Sequence, residues 1–98
     1  MPARREIEIE ATPEEVWEAL ATEEGRERWL GEPDREIHVE SASAPHRLVW
    51  WWGREDEAPT RVEFLVVAAP AGARVIVIES TPSLPLASLA SSLARVCA

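Results

Sequence analysis

Ninety-eight residues, 46% of them hydrophobic and 29% charged, suffice for one folded domain with a single core. The net charge of −8 disfavours a nucleic-acid partner, because phosphates reward clustered positive charge, and it equally disfavours an anionic membrane surface. All ten basic residues are Arg, so no lysine can form a Schiff base. The single cysteine cannot form an internal disulfide and no apolar leader follows Met1, so we expect a soluble, cytoplasmic protein.

A strand and a capped helix are predicted at the start of the chain. Residues 3–10 alternate between glutamate and isoleucine over most of their length, which is typical of a strand with one buried face. Thr12 is a good N-cap, followed by Pro13 at the first helical position and Glu15 as the capping-box partner. The helix, over residues 13–21, is expected to bury three apolar side chains, Val16, Trp17 and Leu20.

A second, shorter helix is predicted to begin after Thr22 and to carry Trp29 and Leu30 inward. Gly31 can take the left-handed conformation that ends it. Gly25 lowers the stability of this helix by up to about 1 kcal/mol relative to Ala. We therefore expect two helices in a kinked V and not one long rod.

Four more strands and a final helix follow. The strands are predicted over residues 35–40, 47–53, 60–69 and 74–80. Residues 41–45 are predicted to form a turn, and the short connections favour an antiparallel meander. After Pro82 and Pro85, residues 85–97 have the apolar spacing of an amphipathic helix. Its buried stripe would consist of Leu86, Leu89, Leu93 and Val96.

Four short motifs, taken in this order, carry a resemblance to a known family. The first is the strand and capped helix around Trp17, and the others are RWLG at 28–31, RLVWWW at 47–52 and RVIVIES at 74–80. The chain resembles the START-like superfamily called SRPBCC, in the branch named for its homology to the activator of the heat-shock-protein-90 ATPase. The resemblance implies an α+β helix-grip fold of order β-α-α-β-β-β-β-α, in which an antiparallel sheet wraps around the C-terminal helix.

The chain is expected to be a short variant of that superfamily. Only residues 32–34 separate the second helix from the next strand, where members usually carry an extra hairpin. The final helix is short as well. The resemblance therefore implies a single START-like domain over residues 1–98, with a cavity that is small or open at one end.

The resemblance further implies a hydrophobic site on the concave face of the sheet. Trp50 and Trp52 share one strand face and would line a pocket opposite the final helix. Trp17 and Trp29 would gate this pocket from the helical side. The candidate ligand-binding residues are Trp17, Trp29, Trp50, Trp52, Val62, Phe64, Val77 and Leu89. The alternative is that these side chains form a packed core without room for a ligand.

No residue has a clear catalytic role. An inward Glu79 would orient a ligand or act as a base, but an exposed carboxylate at the strand end, paired with an arginine such as Arg47, is the favoured interpretation. His38 is expected to face solvent and His46 to lie in a turn; with the distant Cys97 they match no zinc spacing. We therefore expect no metal, no other cofactor and no catalytic residue.

Three functions stay open. The first is non-enzymatic binding of a small hydrophobic molecule, aromatic or polyketide-like. The second is a protein-interaction or co-chaperone-like module without a cavity, and the third is a polyketide cyclase-like enzyme. Trp51 is expected to point away from Trp50 and Trp52 and to form an exposed apolar spot. Together with the sheet edge left bare by the missing hairpin, it predicts a homodimer.

Overall fold

The chain forms one antiparallel sheet, with two helices after its first strand and a third helix at its end. A computed structural model describes residues 3–30, 35–80 and 84–97, with side chains described as far as Leu93. The elements are β1 (Ala3–Ile9), α1 (Pro13–Ala21), α2 (Glu23–Glu27), β2 (Glu36–Ser43), β3 (Arg47–Gly53), β4 (Thr60–Ala69), β5 (Gly72–Glu79) and α3 (Leu86–Cys97). This order and the α+β helix-grip class agree with the expectation from sequence.

The five strands lie in the order β1-β5-β4-β3-β2, all antiparallel. β2 to β5 form the predicted meander, and β1 closes on β5, so β1 and β2 are the two edges. Alternate residues of β3, β4 and β5 are buried on the inner face. Within that face Trp50 lies opposite Val62, and Phe64 lies opposite Val77.

The predicted caps hold α1 and α2 in place. The Thr12 hydroxyl accepts a hydrogen bond from the Glu15 backbone N–H at 3.2 Å, and the Thr12 N–H donates to the Glu15 carboxylate at 3.1 Å. Thr22 both ends α1 and caps α2, where its hydroxyl accepts from the Gly25 N–H at 2.9 Å. Two separate helices therefore form, as predicted. α2 ends at Glu27, earlier than expected, and Gly31 lies outside the described residues.

The predicted turn at residues 41–45 is wrong for residues 41–43, and the turn covers residues 44–46. β2 continues through Ser43, after a β-bulge between Val39 and Ser41. The bulge adds one unpaired residue and so shifts the alternation of faces by one position, which a regular period of two cannot anticipate. β5 also begins two residues before its predicted start. Gly72 makes this possible, since its φ of +140° is one that residues with a side chain rarely adopt.

The helices cover the inner face unevenly. α1 packs mainly on β4 and β5, while α3 packs on β1 and α1. Leu86, Leu89 and Leu93 of the predicted stripe are buried, and the side chain of Val96 lies outside the described residues. Within the described ranges, no helix combines the length and apolar character that crossing a bilayer requires.

Candidate ligand site on the concave face

Three aromatic side chains form a wall on the inner face of β3 and β4. Trp50, Trp52 and Phe64 are at most 1% exposed. The ring centroids of Trp50 and Phe64 lie 4.7 Å apart in an edge-to-face arrangement, and those of the two tryptophans lie 6.1 Å apart. The alternation in RLVWWW places both indoles inward, as predicted, and Val62 and Val77 continue the wall across β4 and β5. We call Trp50, Trp52 and Phe64 the aromatic wall.

The helical candidates share the core with the aromatic wall but have a different polar environment. The buried indole N–H of Trp29 donates to the Ala19 carbonyl at 2.8 Å, which fastens the segment after α2 onto α1. Ser88 of α3 donates its hydroxyl to the Trp29 carbonyl at 3.0 Å. Trp17 is half-buried against the core, and Leu89 is fully buried. Trp29 thus joins three helical segments, and its indole N–H already has a hydrogen-bond acceptor.

The indole N–H groups of Trp50 and Trp52 are buried and have no hydrogen-bond acceptor among the described residues. Buried polar groups are nearly always hydrogen-bonded, and leaving one unpaired costs about 1–3 kcal/mol. An indole nitrogen can only donate. The aromatic wall therefore offers two N–H donors to any acceptor that reaches it.

Two arginine side chains, Arg26 of α2 and Arg35 just before β2, lie over the tryptophan rings of the wall. The Arg35 guanidinium carbon lies 3.7 Å from the ring centroid of Trp52, and that of Arg26 lies 5.7 Å from the ring centroid of Trp50. Both contacts are cation–π interactions. Arg26 also donates to the Leu20 carbonyl at 3.2 Å, and its burial lowers the pKa of its guanidinium, which the nearby Glu23 raises by less.

Glu57 is the acidic partner of this cover. Its carboxylate lies 3.3 Å from Arg35 Nε, as an ion pair whose geometry does not meet that of a hydrogen bond. A hydrogen bond of 2.8 Å from the Arg54 backbone N–H, with a smaller contribution from the positive charge of Arg35, holds the pKa of Glu57 below its ordinary value. The Arg35 guanidinium is therefore tied to the wall by stacking and to the loop after β3 by charge.

The interpretation of Glu79 as an exposed partner of Arg47 is wrong. Glu79 is fully buried, because β5 stays regular to its end and keeps this residue on the inner face. Arg5 of β1 donates to it from Nη2 and, at 3.1 Å, from Nε; Arg5 Nη2 also donates to the Leu84 carbonyl at 3.0 Å. The Leu84 N–H donates to Glu79 at 3.3 Å, whereas Arg47 pairs with Glu63 at 2.7 Å. Glu79 thus anchors the chain just before α3.

Trp51 lies on the outer face, as predicted, and is 38% exposed. Its indole N–H donates to Glu40 at 2.9 Å, and Arg61 donates to the other oxygen of that carboxylate at 3.1 Å. These two hydrogen bonds, that from Arg61 first, lower the pKa of Glu40. His38 is exposed, in agreement with the sequence, and His46 lies in the β2–β3 turn. No group of three His, Cys, Asp or Glu side chains in the described ranges could hold a metal.

Sequence reasoning missed the two covering arginines, although one of them left a signal. Arg35 lies two and four residues before Ile37 and Val39. Because side chains alternate along a strand, Arg35 belongs with them on the inner face of the predicted strand. Arg26 left no comparable signal, because α2 has no large apolar residue that would mark its buried face.

Solved structures share this fold over nearly the whole chain. Protein MLL2253 from Mesorhizobium loti aligns over 97% of this chain and 98% of its own, with a TM-score of 0.78 and 17% identity. The Aha1 dimer from Colwellia psychrerythraea covers 99% of this chain and 88% of its own, with a TM-score of 0.69 and 14% identity. CalU16 from Micromonospora echinospora covers 82% of this chain and 57% of its own, with a TM-score of 0.62 and 20% identity.

The sequence comparisons add no closer assignment. Neither a protein-family model nor a curated protein sequence matches the chain. This chain and MLL2253 nevertheless share the fold over nearly the whole length of both. At such low identities the likeness establishes architecture alone, and the chain has an α+β helix-grip fold.

Proposed function

We propose that this protein binds a small hydrophobic molecule, without catalysing a reaction, against the aromatic wall. The observation that carries the proposal is the way the wall is covered at β3. Trp50 and Trp52 lie beside the strands on which the helices mainly pack, and the guanidinium groups of Arg26 and Arg35 lie over their rings. A ligand would reach the indoles by displacing two long side chains, and the helices would stay in place.

The energetics favour such a displacement. A cation–π contact contributes about 0.5–2 kcal/mol. A flat ligand between Phe and Trp in size buries about 150–250 Å², which at about 25 cal/mol per Å² corresponds to about 4–6 kcal/mol. Burial of the ligand therefore at least balances the cation–π energy that the two arginines give up when they move aside, about 1–4 kcal/mol together. The displaced arginine can also regain hydration, because its charged head is at the end of a flexible stem.

The proposal includes the placement of the chain among its relatives. We assign it to the SRPBCC superfamily, in the branch homologous to the activator of the heat-shock-protein-90 ATPase, and to the cytoplasm. The four sequence motifs and the likeness of fold support the superfamily. The single cysteine supports a reducing compartment. No cofactor forms part of the proposed function.

Two alternatives from the sequence retain some support. A protein-interaction or co-chaperone-like module is favoured by Trp51, which Glu40 fixes in an exposed position. A polyketide cyclase-like enzyme would act by shaping its substrate, and a carboxylate at the wall would assist it as a base. Glu79 lies opposite Val62 on the inner face, but Arg5 already binds it. We therefore rank the enzyme last.

Binding to the aromatic wall can be tested with acetylnaphthalene as a probe of suitable size. It should raise the melting temperature in a concentration-dependent way, following RT ln(1 + [L]/Kd). Trp52→Phe should weaken binding about tenfold, while Trp51→Phe on the opposite face should leave it unchanged. Circular dichroism would confirm that both variants fold. No stabilisation of the wild-type protein, or equal effects of the two substitutions, would refute the proposed site.

A further inference from the structure

We propose that the ligand of the aromatic wall carries an oxygen acceptor, such as a carbonyl, carboxylate or phenolate, which binds the indole N–H groups of Trp50 and Trp52. This inference rests on the proposed function and adds the chemical class of the ligand. It follows from the kind of polar atom that the buried site leaves unpaired.

Every buried side-chain polar atom without a hydrogen bond in the described ranges is an N–H donor. The three atoms are Trp50 Nε1, Trp52 Nε1 and Arg35 Nε. None is an acceptor, so a ligand that only donates would find no complement among them. A cationic ligand would in addition face the charges of Arg26 and Arg35. A pure hydrocarbon would cover the indoles but leave their N–H groups unpaired.

The other tryptophans show that unpaired donors are not a general property of this chain. Trp29 is 3% exposed, nearly as buried as the wall, and its indole N–H has the Ala19 carbonyl as acceptor. Trp51 is exposed to solvent, yet its N–H is bound by Glu40. Among the tryptophans in the described ranges, the unpaired donors are those of the two residues that are covered by arginine. A structural role therefore accounts for Trp29 but leaves the polar atoms of Trp50 and Trp52 unexplained.

A buried water is the main competitor for these donors. A water molecule satisfies buried N–H groups in many proteins. A ligand oxygen that reproduces its hydrogen bonds displaces such a water without loss, whereas an apolar group that cannot reproduce them loses affinity. The acceptor on the ligand should therefore decide the ranking among compounds of equal size.

Four compounds with the same ring system separate these cases: naphthalene, acetylnaphthalene, naphthoate and naphthylmethylammonium. Calorimetry should show that acetylnaphthalene and naphthoate bind about tenfold more tightly than naphthalene, a difference of about 1.4 kcal/mol. The ammonium compound should bind most weakly. In heteronuclear NMR spectra, both acceptor compounds should shift the indole N–H protons of Trp50 and Trp52 downfield and leave those of Trp29 and Trp51 unchanged.

An isosteric replacement isolates the hydrogen bond from the shape of the wall. Benzothienylalanine, introduced by chemical synthesis at position 52, keeps the bicyclic ring and removes only the N–H of Trp52. Affinity for acetylnaphthalene should fall about threefold to tenfold, while affinity for naphthalene should not change. The same replacement of Trp51 is the matched control and should affect neither compound.

The outcomes distinguish this inference from the function on which it rests. Binding of all four compounds with equal affinity and no indole shift would overturn the acceptor while leaving a hydrophobic site. Tight binding of naphthoate alone, again without an indole shift, would mean that Arg35 binds the carboxylate. It would overturn the inference that the indole N–H groups of Trp50 and Trp52 bind the acceptor. Failure of all four compounds to bind would overturn the proposed function together with the inference.

Discussion

Arg4 and Arg5 are neighbours in β1 with the same chemistry and opposite surroundings. Arg4 lies on the outer face and pairs with Glu6, and both side chains are more than two-fifths exposed. Arg5 shares the inner parity of Ile7 and Ile9 and reaches the fully buried carboxylate of Glu79. Exposed ion pairs contribute little to stability, whereas a buried carboxylate without its counter-ion is strongly unfavourable. The two positions therefore form a natural matched pair.

We expect Arg5→Met to lower the free energy of unfolding by about 3 kcal/mol, because it removes the charged hydrogen-bond donors of Arg5 from the buried carboxylate of Glu79. Arg4→Met should lower it by no more than about 0.5 kcal/mol. Urea denaturation of both variants, followed by Trp fluorescence, measures the difference. Equal losses at the two positions would show that the contact between Arg5 and Glu79 has no special weight.

The outer face provides a prediction for pH dependence. The hydrogen bond from Arg61, followed by that from Trp51, lowers the pKa of Glu40 in the folded state below its unfolded value. The stabilisation from this carboxylate is therefore complete above its unfolded pKa of about 4.3 and is lost as the pH falls through the lower folded pKa. Trp51 loses an ionised acceptor in the same step, so its fluorescence should report the titration.

The fluorescence difference between the wild-type protein and Trp51→Phe should change with a midpoint below pH ~4.3. Glu40→Gln should abolish this step, because the amide does not ionise in that range. Circular dichroism at each pH separates the local titration from acid unfolding. A midpoint at or above the ordinary value of glutamate would contradict the role of Arg61 in lowering this pKa.

At the scale of elements, Gly25 shows a conflict between helix propensity and packing. Propensity alone predicts that Gly25→Ala stabilises α2 by about 1 kcal/mol. A Cβ at this position would instead lie 2.3 Å from the Glu18 carbonyl oxygen and 2.7 Å from Ala19 Cα, both backbone atoms that cannot move aside cheaply. We expect Gly25→Ala to destabilise the protein by about 1–3 kcal/mol, the usual cost of overpacking.

Thermal unfolding shows directly whether Gly25→Ala stabilises or destabilises the protein. A suitable control is Ala21→Gly at the last residue of α1, where propensity should dominate and a loss of up to about 1 kcal/mol is expected. An increase in melting temperature for Gly25→Ala would mean that α1 and α2 can separate at little energetic expense. That result would overturn the close packing of the two helices.

The elements differ in how far local sequence could predict them. β1 and α1 were predictable because alternation, Thr12 and Glu15 act within a few residues of one another. The bulge after Val39 was not, since only pairing with β3 determines where the extra residue is accommodated. The shortened α2 likewise depends on contacts with α1.

The residues of the candidate site also differ in how far local sequence could predict their positions. The alternation of side chains along each strand correctly predicted one shared face for Trp50, Trp52, Val62, Phe64 and Val77. The same alternation would also have placed Arg5 and Glu79 inside, had it been applied to charged residues as strictly as to apolar ones. It could not show that two guanidinium groups cover the indoles, because Arg26 and Arg35 come from segments outside β3 and β4. Long-range contacts, and not local patterns, determine this part of the site.

At the scale of the whole molecule, we expect the outer face around Trp51 to form a two-fold interface. Trp51 is surrounded by charges of both signs, since Arg47 binds Glu63 and Arg61 binds Glu40. A two-fold interface brings one patch against a copy of itself, so a patch with both signs can be complementary to itself. The net charge of −8 opposes association, but these four residues contribute no net charge to the patch.

We therefore expect a homodimer with Trp51 at its centre, in which each copy buries an exposed tryptophan. Light scattering on the peak of a sizing column, at tens of micromolar protein, should give about twice the chain mass of 10.9 kDa. Trp51→Glu should restore the single-chain mass, because it places a further negative charge opposite its own copy.

Val67→Glu is the matched control. Val67 is 40% exposed on the same face, but it lies about 20 Å along β4 from Arg61, the residue opposite Trp51. A mass near 10.9 kDa for the wild-type protein would refute the dimer, and loss of the dimer in Val67→Glu but not in Trp51→Glu would move the interface to the other end of the sheet.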